Sequence, residues 1–347
     1  MKHTIFRCLL AFAALASLAM GAQARPGVTV QLSTAQPVLR GDVDVRVQVN
    51  VTNTNRHSVN IVGWQLPGDE LDSALFTITH DSGQVARYTG RIVKRAAPDA
   101  NDMVRIEAGA TLSYEVELTS LYDLSRNGRY AIEYASREGH GQSGQALQSA
   151  APIYLWLDGR SAKVSAAPAL PTAAFAAKSL AFVRCTASQS TAITQAVTDA
   201  GTLSGGALSY LTAGTAGTRY TTWFGSYDAG RYSAVQSHFS NLNSVFNTAA
   251  ITVDCSCKRK TVYAFVTKSN PYYITVCGAF WTAPPLGTDS KAGTLIHEVS
   301  HFTIVADTDD WAYGQTNAKA LAISDPVKAI DNADSHEYFA ENTPFQN

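Results

Sequence analysis

The sequence predicts two domains, an all-β sandwich followed by a mainly helical α+β domain. Three observations carry this. Residues 25–160 alternate apolar and polar side chains at every second position, whereas apolar residues beyond 178 recur at three- and four-residue spacing. A stretch rich in Ala, Ser and Pro separates the two textures. The 347 residues also suffice for two cores, at roughly 100–200 residues per domain.

Composition narrows the function before any motif is read. A net charge of −1 removes the electrostatic case for nucleic acid. An apolar share of 46% with 16% charged residues belongs to a folded chain rather than a disordered one. Past the first segment no run of about 18 apolar residues offers a membrane span, and a monomer is expected.

Residues 1–24 read as a secretory signal peptide. Lys2, His3 and Arg7 precede the apolar run from Leu9 to Leu15, and Ala22–Gln23–Ala24 supplies a small-residue exit. The chain is therefore expected to be secreted, with its remaining cysteines in an oxidising environment. In residues 25–160 the strand period is clearest at Val43, Val45, Val47, Val49 and Val51, with Val28–Leu32, Tyr114–Leu118 and Tyr130–Tyr134 behaving alike. Several such strands predict an antiparallel sandwich. Residues 161–177 read as an exposed linker holding a maturation site, of which Ala177–Lys178 is a candidate.

Residues 178–347 carry helical spacing at Ile193, Ala196, Val197 and Ala200 and again at Val235, Phe239, Leu242 and Phe246. Short strands are predicted at Ile251–Val253, Thr261–Val266 and Tyr272–Val276. Once Cys8 is removed, Cys185, Cys255, Cys257 and Cys277 remain, an even set without zinc-site spacing, and they read as two disulfides.

The chemistry lies in His297–Glu298–Val299–Ser300–His301. Helical residues four apart share a face, so both imidazoles can reach one metal ion, and Glu298 is placed to take a proton from water. Asp289 or Ser290 can cap this helix, and Leu295, Val299 and Phe302 form its apolar stripe. A catalytic zinc needs a third protein ligand and an open position. Ala306–Asp307–Thr308–Asp309–Asp310–Trp311–Ala312–Tyr313–Gly314 contains no histidine, so a carboxylate must serve, and three aspartates compete.

His-Glu-x-x-His followed by Thr308, Asp310, Tyr313 and Gly314 resembles the aspzincins, the deuterolysin-like zinc endopeptidases; Asp307 stands where that family usually has Gly. Tyr220–Gly225, Cys277–Trp281 and Asp289–Thr294 resemble its peptidyl-Lys branch, and the likeness spans essentially residues 180–347. It implies a zincin catalytic domain with one Zn²⁺ held by His297, His301 and Asp310. Glu298 would be the general base, Tyr313 the oxyanion donor, and the disulfides Cys185–Cys255 and Cys257–Cys277. Asp307 and Asp309 would be turn and capping carboxylates.

Asp334 and Glu337 form a capping-box pattern ahead of an apolar run. The resemblance adds a second role, two carboxylates binding the lysine ammonium that follows the cut bond. The sequence thus predicts a secreted preproprotein that cleaves protein or peptide substrates before lysine, with residues 25–160 as its intramolecular inhibitor. Lys94 or Lys163 is the candidate to fill the acidic pocket. Two rivals stand beside it: a permanent binding module in the N-terminal half, and a non-catalytic metal-binding protein.

Overall fold

The computed structural model describes residues 27–68, 71–96, 100–136, 146–161, 178–214 and 216–347. The signal segment, Ala177 and Lys163 lie outside the described residues.

Among the described residues the N-terminal half contributes β1 (Val28–Ser33), β2 (Val38–Arg40), β3 (Arg46–Asn53), β4 (Val59–Val62) and β5 (Phe76–His80). These are followed by β6 (Arg91–Arg95), β7 (Met103–Ile106), β8 (Thr111–Glu117), β9 (Gly128–Tyr134) and β10 (Ile153–Asp158). β3 obeys the predicted alternation, with Val47, Val49 and Val51 buried. Val43 stays outside the strand and is half exposed, because β8 ends its pairing at Arg46. The sheets β1-β3-β8 and β2-β10-β9-β5 share one apolar cluster that includes Val30, Val49, Ile78, Ile132 and Leu155. The half departs from the expected antiparallel, self-contained arrangement twice. β2 and β10 run parallel, and β6 leaves both sheets for the C-terminal half.

The C-terminal half runs β11 (Ser179–Val183), α1 (Ala187–Thr212), α2 (Thr218–Phe224), α3 (Ala229–Thr248), β12 (Ala250–Asp254), β13 (Val262–Thr267) and β14 (Tyr273–Val276). α4 (Gly278–Thr282), α5 (Lys291–Ser300), α6 (Gly314–Ser324), α7 (Pro326–Ala329) and α8 (Ala333–Glu341) complete it. Thr186 and Gln189 form a capping box at α1, and Asp228 caps α3. The five-stranded sheet has the order β11-β12-β14-β13-β6. β11, β12 and β14 are parallel, so the helices α1–α3 form the crossover that parallel neighbours require. β13 runs antiparallel to β14 on one side and to β6 on the other. The helices bury a second core in which Ile193, Val197, Phe239, Phe246, Leu295 and Phe339 are nearly inaccessible.

The disulfides are Cys185–Cys255 and Cys257–Cys277, separated by 70 and 20 residues. On the chain-entropy account such loops contribute roughly 4 and 3 kcal/mol. No helix among the described residues is long and apolar enough to cross a membrane.

A histidine pair, His336 buried and His238 half-buried, joins α3 to α8. His336 Nδ1 donates to the Asn332 carbonyl at 2.9 Å, which leaves its Nε2 to accept from His238 Nδ1 at 3.0 Å. His336 also stacks on Phe239. Burial pushes His336 down to about 3 and His238 down to about 4. Both titrate near 6.5 when unfolded, so the unfolded chain takes up protons below that pH that the native chain refuses. Stability therefore falls as pH drops through the window from about 6.5 to about 4. Urea denaturation is expected to show this loss, and His336→Gln is expected to lose less across the same interval. Identical pH slopes for the two chains would contradict the assignment.

Candidate metal centre

α5 delivers the first two ligand candidates. Ser290 caps it by accepting from Gly293 N, and Leu295, Val299 and Phe302 bury its apolar stripe completely. His297 lies in the last turn and His301 is the C-cap residue. Asp310 arrives from the loop before α6, and the three form one buried group whose candidate ligand atoms lie within 4.8 Å of one another. Asp310 Oδ1 is 3.2 Å from His297 Nε2 and 3.5 Å from His301 Nε2. Ligands bonded at zinc lengths in a tetrahedron stand about 3.3 Å apart, so the donor set fits that ion. His297 Nε2 and His301 Nε2 are fully buried without a hydrogen-bond partner, which a bound cation would relieve. The residues present suit a zinc ion.

A hydrogen bond behind His301 sets its tautomer, and a carboxylate stands close behind His297. His301 Nδ1 donates to the Thr308 carbonyl at 2.9 Å, and Thr308 Oγ1 meets Ser300 Oγ at 2.6 Å. His297 Nδ1 lies 2.8 Å from Asp334 Oδ1. Both rings thus turn Nε2 toward Asp310. Tyr313 donates to Asp310 Oδ2 at 2.6 Å, and its hydroxyl stands 3.0 Å from the Val93 carbonyl oxygen. Asp307 and Asp309 pair instead with Lys268 at 3.0 and 3.2 Å. Asp307 has φ 52°, the left-handed backbone for which a glycine is the easy choice.

Burial pushes Glu298 up to about 8, against the pull of His297, and pushes His301 down to about 4. Burial also opposes ionisation of Asp310, but His301 and His297 hold it well below the usual carboxylate range.

The capping-box reading of Asp334 and Glu337 is corrected. Asn332 is the N-cap residue of α8 and makes no side-chain cap of its own helix, so both carboxylates sit inside the helix. Asp334 accepts from Gly314 N at 2.6 Å. The two carboxylates close on Lys94 Nζ, at 3.2 Å from Asp334 and 2.5 Å from Glu337, and all three side chains are nearly inaccessible. Asp289 is a third carboxylate, 3.6 Å away, held by the Tyr338 hydroxyl at 2.7 Å. The rings of Tyr263 and Tyr338 flank the ammonium at 5.4 and 5.9 Å. Burial works against the charge on Lys94, yet Asp334, Glu337 and Asp289 hold it well above the ordinary lysine range.

Sequence reasoning missed several residues here. Asp289 was visible only as a cap candidate. Asn332 Oδ1 accepts from the backbone N–H of both Trp311 and Ala312, tying the Asp310 loop to α8. Its signal was an Asn directly before a helix, which reads as an ordinary cap. Glu341 accepts from Ser290 N and Oγ under the start of α5. A Cβ on Gly293 would stand 2.1 Å from Glu341 Oε1 and 3.0 Å from Glu337 Oε1, so this helical glycine makes room for two carboxylates.

Comparison with known proteins finds metalloendopeptidases among the relatives of this chain. The family model described as lysine-specific metallo-endopeptidase, of the aspzincins, matches residues 209–341. An extracellular protease of Aeromonas hydrophila is 41% identical over 96% of this chain and 98% of its own length. A peptidyl-Lys metalloendopeptidase of Grifola frondosa is 34% identical over 96% of this chain and 98% of its own. Another, from Pleurotus ostreatus, is 55% identical over 47% of this chain and 97% of its own.

Asp334 touches both a ligand candidate and the lysine, and the two roles separate by mutation. Asp334→Asn is expected to weaken divalent-metal affinity about 10–100-fold, measured by competition with a chelating dye. Glu337→Gln keeps the 2.8 Å contact from Asp334 to His297 and alters only the longer one, Glu337 Oε2 at 3.4 Å from His297 Nδ1, so its loss is expected to be the smaller of the two. Equal losses in both would show that Asp334 does not orient the ligand.

Proposed function

The chain belongs to the aspzincin family of lysine-specific metallo-endopeptidases, and from that premise we propose a secreted zinc endopeptidase made as an inactive precursor. It cuts on the N-terminal side of lysine. The observation that carries this reading is a lysine already seated in the acidic pocket, with the carbonyl of the residue before it 3.0 Å from the Tyr313 hydroxyl.

His297, His301 and Asp310 would hold the ion, whose contribution when bound is Lewis acidity. Glu298, beside the first ligand, takes a proton from the attacking water and returns it to the leaving amine. The Tyr313 hydroxyl donates to the oxygen that gains charge in the transition state. Asp334 and Glu337, with Asp289 at 3.6 Å, select lysine because an apolar side chain would leave buried carboxylates unpaired.

The precursor reading has two further supports. β6, part of residues 25–160, completes the sheet of the other half and carries Lys94 into the acidic pocket. The Pleurotus relative matches only 47% of this chain over nearly its whole length, as a catalytic half standing alone would. The family model falls within residues 178–347. Export is supported by residues 1–24 and by the extracellular naming of the Aeromonas relative. A permanently attached binding module would leave the lysine pocket filled.

Two variants of the full chain test this. Glu298→Gln is expected to remain full length and inert, while the parent accumulates a fragment beginning near Lys178. If both mature alike and both digest casein, Glu298 is not the base. Lys94→Ala removes one partner of a buried ion cluster, a loss of about 3–5 kcal/mol. The uncleaved variant is therefore expected to hydrolyse a lysyl peptide on which the uncleaved parent is silent. An equally silent variant would remove the blocking role of Lys94.

A further inference from the structure

β6 shows how an extended chain lies along β13. The two are antiparallel, with Arg91 opposite Thr267, Val93 opposite Phe265 and Lys94 opposite Ala264. Lys94 fills the acidic pocket, so Val93 stands where a substrate's residue before the cut bond would stand. Its side chain projects to the other face of the strand and is completely inaccessible. What buries it belongs to neither main core: Val93, Val262 and Cys277 form a separate small cluster, with Cys257 and Phe265 packed against it. Apart from Val93 itself, every one of these residues lies in the C-terminal half.

The shape of this cluster has a backbone cause. On a strand of strict period two, Val262 and Phe265 would face opposite ways. The register shift between Val262 and Ala264 brings both beside Val93, while the intervening Tyr263 flanks Lys94. The Cys257–Cys277 disulfide supplies the remaining wall as a covalently fixed apolar surface.

We propose that these residues form a second specificity subsite, which takes an apolar, β-branched side chain on the residue immediately before the cut bond. The enzyme then reads two positions, valine or isoleucine followed by lysine. This rests on the reading that β6 lies as a substrate does and that cleavage precedes lysine. A carboxylate in this subsite would be desolvated without a partner, and a glycine would leave its apolar walls uncovered.

The test uses the matured enzyme obtained from the full-length precursor and peptides identical except for the residue before a single lysine. Values of kcat/KM for Val-Lys and Ile-Lys peptides are expected to exceed those for Gly-Lys and Asp-Lys by about 10-fold or more. Val262→Phe narrows the subsite and should lower the Val-Lys to Ala-Lys ratio about 10-fold. Should that variant fail to fold, Val262→Ala widens it and should move the preference toward Leu and Phe. Cuts confined to lysine but indifferent to the preceding residue would overturn this subsite alone. A valine preference that neither variant shifts would overturn its assignment to these walls. Cuts that ignore lysine would overturn the proposed function and the subsite with it.

Discussion

The structure turns on one ammonium group enclosed by carboxylates. Lys94 Nζ is almost inaccessible, and so are Asp334 and Glu337. A buried charge of either sign is costly alone, so neither half of the molecule is electrostatically complete without the other. Asp334 extends the dependence further: burial opposes its ionisation, but Lys94 and His297 hold it well below the usual carboxylate range. The residue that meets the cation therefore also steadies a ligand of the proposed ion. Recognition of lysine and placement of the metal-binding face share one oxygen atom, Asp334 Oδ1.

That economy needs a rigid frame, and α8 with its preceding residue provides it. Asn332 Oδ1 accepts from the backbone N–H of Trp311 and Ala312, while its amide nitrogen donates to Ser335 Oγ inside α8. The loop carrying Asp310 and the helix carrying Asp334 and Glu337 are thereby fixed to each other. Glu341 at the far end of α8 holds the start of α5 through Ser290. Both ends of the helix that closes on Lys94 are thus fastened to the parts that would hold the ion.

The metal face was legible in the sequence because its determinants are local. Two histidines four apart share a helical face whatever surrounds them, and the stripe of Leu295, Val299 and Phe302 was readable from spacing alone, with the cap narrowed to Asp289 or Ser290. The choice of Asp310 over Asp307 and Asp309 was not, since it depends on Lys268 drawing the other two away. The β period of residues 28–134 located β1, β3, β8 and β9, yet nothing in Arg91–Arg95 announced that β6 pairs with a strand more than 160 residues onward. Strand partners are set by tertiary contact, which no short window contains. Lys94 was one of two lysines that composition left equivalent. Asp289 was visible only as a cap candidate and Asn332 went unread, because their long-range bonds leave no local trace.

β13 has a further consequence through its place in the sheet. With β6 seated, both of its edges are hydrogen-bonded; once β6 departs, its six residues become the border of the sheet. An open border of unpaired N–H and C=O groups is a template for any extended polypeptide, another molecule of the same enzyme included. A protein released in the proposed way would owe its reactivity toward extended chains and its exposure to self-association to the same row of backbone groups. In the proposed precursor that row is already capped by β6, so the N-terminal half would guard solubility by the same contact that seats Lys94.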